Sequence, residues 1–232
     1  HPDHADRRVD SITPTGMMLR LRTVIRTWLP LLIMGAAACD NTPPPVGMER
    51  GAELFQTCAP CHGDAAAGDS EIAAPAIGGL PQWYVEEQLR GFQAGFRGKH
   101  ARDLPGLRMR PMALTLNAGD REGDIESVAE YVASLSATFP VSTLHGNAGA
   151  GADSYVLCAT CHGADGLGNP ALHAPPIVQL DDWYLLTQLQ NFKSGVRGAR
   201  DGDTWGLTMR VNSLVLDDQA MEDVIAYVQS LR

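Results

Sequence analysis

Two short clusters hold the residues best suited to chemistry: Cys58-Ala-Pro-Cys61-His62-Gly63 and Cys158-Ala-Thr-Cys161-His162-Gly163. A Cys-x-x-Cys pair serves as a redox dithiol, as half of a zinc site or, with His following, as an attachment point for haem. Structural zinc needs four ligands, and each cluster offers one cysteine pair. Sharing one zinc between the clusters would leave both histidines without a role. A dithiol oxidoreductase needs a βαβ setting, and strand signals are absent from this sequence. Haem attachment uses every residue: two thiols add to two vinyl groups, and the adjacent His lies under the iron. The candidate cofactors are therefore two covalently bound haem c groups, on Cys58, Cys61 and His62 and on Cys158, Cys161 and His162. Gly63 lets the chain turn away close to the ring.

A second axial ligand must come from elsewhere in each copy. A methionine is core filler by default, but the spacing selects one here. Met109 lies 47 residues after His62, and Met209 lies 47 after His162. Met112 is answered by Asn212, His100 by Arg200 and His173 by Ala73, so a bis-His site would have to be built differently in each half. The expected iron ligands are His62 with Met109 and His162 with Met209, Met112 remaining a competitor for Met109.

Behind these residues stands an internal duplication. Ala74-Pro-Ala-Ile77 matches Ala174-Pro-Pro-Ile177, and the run from Trp83 to Gly98 matches that from Trp183 to Gly198. Gly106-Leu-Arg-Met-Arg110 answers Gly206-Leu-Thr-Met-Arg210. The offset is 100 up to Leu114 and Leu214, then falls to 96 where the first copy carries a longer turn. Each copy reads as three helices: about 49–58 or 149–158, a second from Pro81 or Asp181, and a last over 121–136 or 217–231. Ile125, Val128, Ala129, Val132 and Leu135 share one face of that last helix. The loops between are long and rich in Gly and Pro, which argues against an ordinary side-chain core and for a large group inside each copy. The fold class is all-α.

The chain has 232 residues, 44% hydrophobic and 19% charged, with 24 Gly and 15 Pro. A formal charge of −9 speaks against nucleic acid as a partner. Residues 17–39 have the layout of a secretory signal. Arg20, Arg22 and Arg26 precede an apolar run of 11 residues from Trp28 to Ala38. A permanent span needs about 20 apolar residues. The fifth cysteine, Cys39, stands where a bacterial lipoprotein signal places its acylated residue. The segment resembles such a signal, which implies a lipid on Cys39 that holds the protein to the membrane surface. Pro-rich 39–47 reads as a tether. The expected organisation is an upstream segment and signal peptide over 1–38, the tether over 39–47, domains over 48–138 and 149–232, and a linker over 139–148.

Together the duplicated CxxCHG, the Ala-Pro segment, the Trp-Tyr-x-x-x-Gln-Leu-x-x-Phe-x-x-Gly-x-Arg-Gly run and the methionine resemble tandem class I c-type cytochromes. The chain is similar to two-haem cytochromes of the c4 type and to the c-type carrier modules associated with haem–copper oxidases. The resemblance covers residues 49–232. It implies that the carbonyls of Pro75 and Pro175 accept the Nδ1–H bonds of His62 and His162, with Pro176 an alternative in copy two. Trp83, Tyr84, Trp183 and Tyr184 would pack on the haem edge or pair helices. Arg97 and Arg197 would meet propionates or lie in solvent. The implied function is single-electron transfer in the periplasm between respiratory partners. A quinol-oxidising complex or a dehydrogenase would be the donor and a terminal oxidase the acceptor. The rival readings are a two-haem enzyme, peroxidase or thiosulfate dehydrogenase-like, and a fixed subunit of a dehydrogenase complex. The copies differ in charge: residues 97–110 carry five basic residues against one acid, and 197–210 carry three against two.

Overall fold

The computed structural model describes residues 47–117 and 123–232. The signal segment, Cys39 and the tether up to residue 46 lie outside the described residues. Both repeats fall within one compact unit, and the described secondary structure is helical, with two isolated bridges, Asp69 to Ala74 and Asn169 to Ala174. Among the described residues no helix is long and apolar enough to cross a membrane.

The first module contains α1 (Met48–Phe55), α2 (Ala59–His62), α3 (Gln82–Ala94), α4 (Leu104–Leu114) and α5 (Asp124–Ser134). The second contains α6 (Ala148–His162), α7 (Asp182–Lys193), α8 (Thr204–Ser213) and α9 (Asp218–Ser230). The sequence reading ended the first helix of each copy near the first cysteine. In the second module the helix instead continues through the cluster to His162. In the first it breaks at Gln56–Cys58 and restarts. The difference traces to one position: Pro60, without an N–H, sits in the first turn of α2 where none is needed, and Thr160 carries α6 through.

Helices α4 and α8, which carry Met109 and Met209, fall in stretches that sequence reading leaves as loop. Each starts at an aspartate cap, Asp103 and Asp203 accepting from the Gly106 and Gly206 amides at 3.0 Å. The polarity of α8 is inverted for a surface helix. Leu207, Val211 and Leu214 are exposed, and Trp205, Thr208, Met209 and Asn212 line a cavity. A helix that packs on a cavity rather than on side chains shows no buried apolar stripe in its sequence.

Within each module the first helix crosses the last. The crossing is close enough that a Cβ on Gly51 would lie 2.1 Å from the Ser127 carbonyl oxygen. One on Gly151 would lie 1.9 Å from that of Asp223. Phe55 packs on Tyr131, and Tyr155 on Tyr227. The Arg50 Nε donates to Asp124 at 2.9 Å and ties α1 to α5. Ile125, Val128, Ala129 and Val132 are all buried on one face of α5.

A third apolar cluster joins the modules: Leu80, Tyr84 and Leu180, flanked by Trp83, Tyr184 and Leu185. Across the same boundary Asp181 accepts from the Ala76 amide at 2.8 Å. The segment between the modules is pinned by Asp182, which accepts from Ser142 Oγ, Thr143 Oγ1 and the amides of Thr143 and Leu144.

Candidate functional site

His162 ends α6, and Gly163, at φ 81°, turns the chain sharply away. That backbone conformation strains any side-chain-bearing residue. The imidazole is 6% exposed, and its Nδ1 lies 2.8 Å from the Pro175 carbonyl oxygen. His62 repeats the arrangement at 5% exposure, 2.8 Å from the Pro75 carbonyl oxygen, followed by Gly63 at φ 78°. A bond from Nδ1–H fixes the ring and leaves Nε2 with its lone pair for a metal. Burial lowers both imidazole pKa values, against the opposing effect of the carbonyl bonds. Both rings are therefore neutral near pH 7, the form that binds iron.

In the second module a cavity of about 500 Å³ lies beside His162, Cys158, Cys161, Pro175 and Met209. Its walls come from both modules: Tyr184, Leu189 and Phe192 on one side, and Tyr84, Glu87, Gln88 and Arg97 on the other. The lining is mainly apolar, and a volume of this order suits a cofactor-sized ligand. In the first module Cys58, Cys61, His62, Pro75 and Met109 occupy the equivalent registers. Met109 is half-buried on α4, whereas Met112 is exposed.

No disulfide joins the four cysteines of the two clusters among the described residues. Burial pushes the Cys58 thiol up to about 11, with the neighbouring Cys61 adding to the rise, and burial raises that of Cys158 too. Protonated thiols of this kind are poor exchange nucleophiles, which argues against dithiol redox chemistry.

A covalently bound haem fits these residues. Each module offers paired thiols, a neutral oriented imidazole and a thioether two helices further along the chain. Buried nitrogens of Arg97, Arg110, Arg210 and Trp183 lack acceptors within the protein, as an anionic group nearby would require.

The aromatic and arginine residues of the long shared motif serve the boundary between modules. Arg97 donates to Gln88 at 2.8 Å, to the Tyr184 hydroxyl at 3.2 Å and to Gln188 at 3.4 Å. Arg197 donates to Gln188 and Gln88, each at 2.8 Å. The guanidinium groups lie over Phe92 and Phe192, at 4.4 and 4.5 Å from the ring centroids. The reciprocal pattern is that of a pseudo-two-fold. Sequence reading left Gln88 and Gln188 unassigned, although their recurrence within the shared run was the available signal. Arg97 also leaves the basic surface of residues 97–110, whose exposed charges are Lys99, Arg102 and Arg108.

A family model described as Cytochrome c matches residues 48–136 and again 148–232. A cytochrome c4 of Stutzerimonas stutzeri is 36% identical over 90 residues, 37% of this chain and 41% of the relative. The chain thus matches about two fifths of that protein's length. A thiosulfate dehydrogenase electron acceptor of Thiomonas intermedia is 28% identical over 174 residues, 70% of this chain and 73% of the relative. The crystal structure of reduced recombinant cytochrome c4 from Pseudomonas stutzeri superposes with a TM-score of 0.62 at 25% identity. It covers 81% of this chain and all of that one.

Proposed function

We propose, from the premise that this chain belongs to the cytochrome c family as two tandem domains, that it carries single electrons between respiratory partners through two haem c groups. The observation that carries this reading is the repeated ligand geometry. In both modules a buried His at 2.8 Å from a Pro carbonyl follows a cysteine pair, with a helical Met 47 residues further on, and in the second module His162 and Met209 line one cavity.

When bound, haem c supplies a one-electron iron couple whose potential rises with His/Met ligation in an apolar pocket. The protein's own residues do the rest. Cys58, Cys61, Cys158 and Cys161 anchor the groups through thioethers. His62 and His162, oriented by the carbonyls of Pro75 and Pro175, present Nε2 to the iron, and Met109 and Met209 present thioether sulfur. With His and Met both bound, each iron would have little vacancy for substrate, so we read a carrier and not an enzyme. The apolar walls exclude water and limit the charge rearrangement that accompanies each transfer. Cross-module bonding through Gln88 and Gln188 keeps the two sites in one body.

We place the protein in the periplasm, with a lipid on Cys39 holding it to the inner membrane surface. A quinol-oxidising complex or a dehydrogenase serves as donor and a terminal oxidase as acceptor. Support for a dehydrogenase donor comes from the likeness, over 70% of the chain, to a thiosulfate dehydrogenase electron acceptor. The exposed Lys99, Arg102 and Arg108 surround the apolar Leu104 and Leu107 of the first module, a surface suited to an acidic partner.

Optical spectra of both oxidation states test the reading. Two low-spin haems with a sulfur-to-iron charge-transfer band support it, and a high-spin haem that reacts with peroxide overturns it. Met109→Ala is expected to convert one haem only to high spin. An unchanged ligand field would assign the role to Met112 or a histidine.

A further inference from the structure

Helices α4 and α8 carry the same outward pattern. Leu107, Pro111 and Leu114 on α4 stand in register with Leu207, Val211 and Leu214 along α8 and its end, and all six are exposed. Residues spaced by four and three share one helix face, so each module turns an apolar stripe toward solvent. Val215, 71% exposed, extends the second stripe where the first has Thr115. A surface helix normally shows the opposite arrangement, and exposed apolar patches of this kind mark contact surfaces.

The charges around the two stripes are opposite. Lys99, Arg102 and Arg108, all exposed, flank the first. Arg102 and Arg108 donate to the carbonyl oxygens of Ser194 and Ile72, at 3.4 and 2.6 Å, and not to a carboxylate. The second copy replaces the three bases by Ala199, Gly202 and Thr208. Its exposed charges at the two ends of α8 are Asp201, Asp217 and Asp218, against Arg200. Asp201 and Leu207 line one surface hollow, which sets that acid beside the stripe. Among the described residues none of Lys99, Arg102, Arg108, Asp201 and Asp218 is engaged in an ion pair.

This pattern decides which faces can meet. Two first faces would bring bases against bases, and two second faces would bring acids against acids. Only a first face against a second pairs the apolar stripes and opposite charges together. Both stripes are open to solvent in the same molecule, so the two faces meet only between copies.

We propose that α4 of one molecule docks on α8 of a second copy, its Leu107 and Leu114 against Leu207, Val211 and Leu214. Lys99 and Arg108 then meet the acids Asp201, Asp217 and Asp218. Such a contact is heterologous, because it uses a different patch on each side, and it extends into a chain of copies unless a rotation closes it. It depends on surface chemistry alone and stands apart from the carrier reading.

Sedimentation velocity of the haem-loaded protein at low ionic strength tests the contact. The weight-average mass should rise with concentration above that of a monomer. The rise should shrink toward about 0.15 M salt, where the screening length is about 8 Å. A wild type that stays monomeric at every concentration leaves the faces to other partners and overturns the proposal, as does association that ignores salt. Lys99→Glu with Arg108→Glu makes both faces acidic, and Asp201→Lys with Asp218→Lys makes both basic. Each double variant alone should associate about tenfold more weakly than wild type. Mixed in equal amounts, the two again offer opposite faces and should recover the wild-type association. Unchanged helical circular dichroism in each variant excludes misfolding as the cause of a loss. A double variant that associates as wild type does, or a mixture that remains monomeric, overturns the proposal.

Discussion

Arg97 and Arg197, from opposite modules, donate to one acceptor, the carboxamide oxygen of Gln88, each at 2.8 Å. Two lone pairs make this possible, and it places two guanidinium groups side by side at the boundary. Their hydrogen-bond partners are neutral: Gln88, Gln188 and the Tyr184 hydroxyl. Burial lowers the Arg197 pKa, and the neighbouring Arg97 lowers it further. Burial likewise pushes the Tyr84 hydroxyl up to about 12, so that phenol stays protonated.

This shared acceptor is the test of whether the modules act as one body. Arg197→Met in the haem-loaded protein should cost about 2 kcal/mol in denaturant unfolding, the loss of charged hydrogen bonds. A double-mutant cycle with Gln88→Ala should return a coupling of about 1 kcal/mol. Strict additivity would show that the bonds do not hold the modules together.

Asp182 governs the segment between modules. Burial opposes ionisation of its carboxyl, but the bonds from Leu144, Thr143 and Ser142 outweigh burial and hold its pKa below the ordinary value of 3.8. The folded state therefore binds the proton less readily than the unfolded chain. The resulting stability is present above pH 3.8 and is lost as pH falls through the lower folded value. Asp182→Asn should cost about 1–3 kcal/mol at neutral pH and flatten the acid limb of a stability–pH curve. A variant curve parallel to wild type down to low pH would refute this. Limited proteolysis should also cut sooner between residues 139 and 147.

The helix crossings make a sharper demand. Gly51→Ala and Gly151→Ala each drive a Cβ into a backbone carbonyl, which cannot swing aside. Overpacking of this kind costs about 1–3 kcal/mol. Thermal unfolding of the two variants should show similar losses, because the crossing is the same in both modules. A neutral result at either site would mean that the helices can slide apart there.

Much of this was legible in the sequence, for reasons that differ by residue. The duplication made the cysteine clusters and the His-to-Met spacing readable, and the period of Ile125, Val128 and Val132 disclosed α5. Helix α8 escaped because its inner face meets a cavity and its outer face carries Leu207 and Val211, and α4 likewise exposes Leu104 and Leu107. Hydrophobic periodicity therefore pointed the wrong way. Gly51 and Gly151 escaped because a glycine inside a helix shows only what it lacks, and its partner carbonyl is distant in sequence. The boundary network escaped since Arg97, Gln88 and Tyr184 are polar residues of a kind normally solvated.

The surface charge of the first module gives a kinetic prediction. Arg108→Glu should slow reduction by an anionic one-electron reagent at low ionic strength. The effect should fade near 0.1–0.15 M salt, where the screening length is about 8–10 Å. Arg200→Glu, beside Asp201 in the second module, should change the rate less. Equal responses in stopped-flow measurements would remove the basic face as a steering surface.

The crossing of first and last helices also sets an order of assembly. Arg50 meets Asp124 across 74 residues, and Asn147 meets Asp223 across 76. Loops of that length close late, after the local helices they join. Until the last helix docks, the cavity beside the second cysteine cluster lacks the wall that Val224, Ile225 and Val228 supply. Each module of the duplicated chain closes on contacts of its own, so neither crossing has to wait for the other.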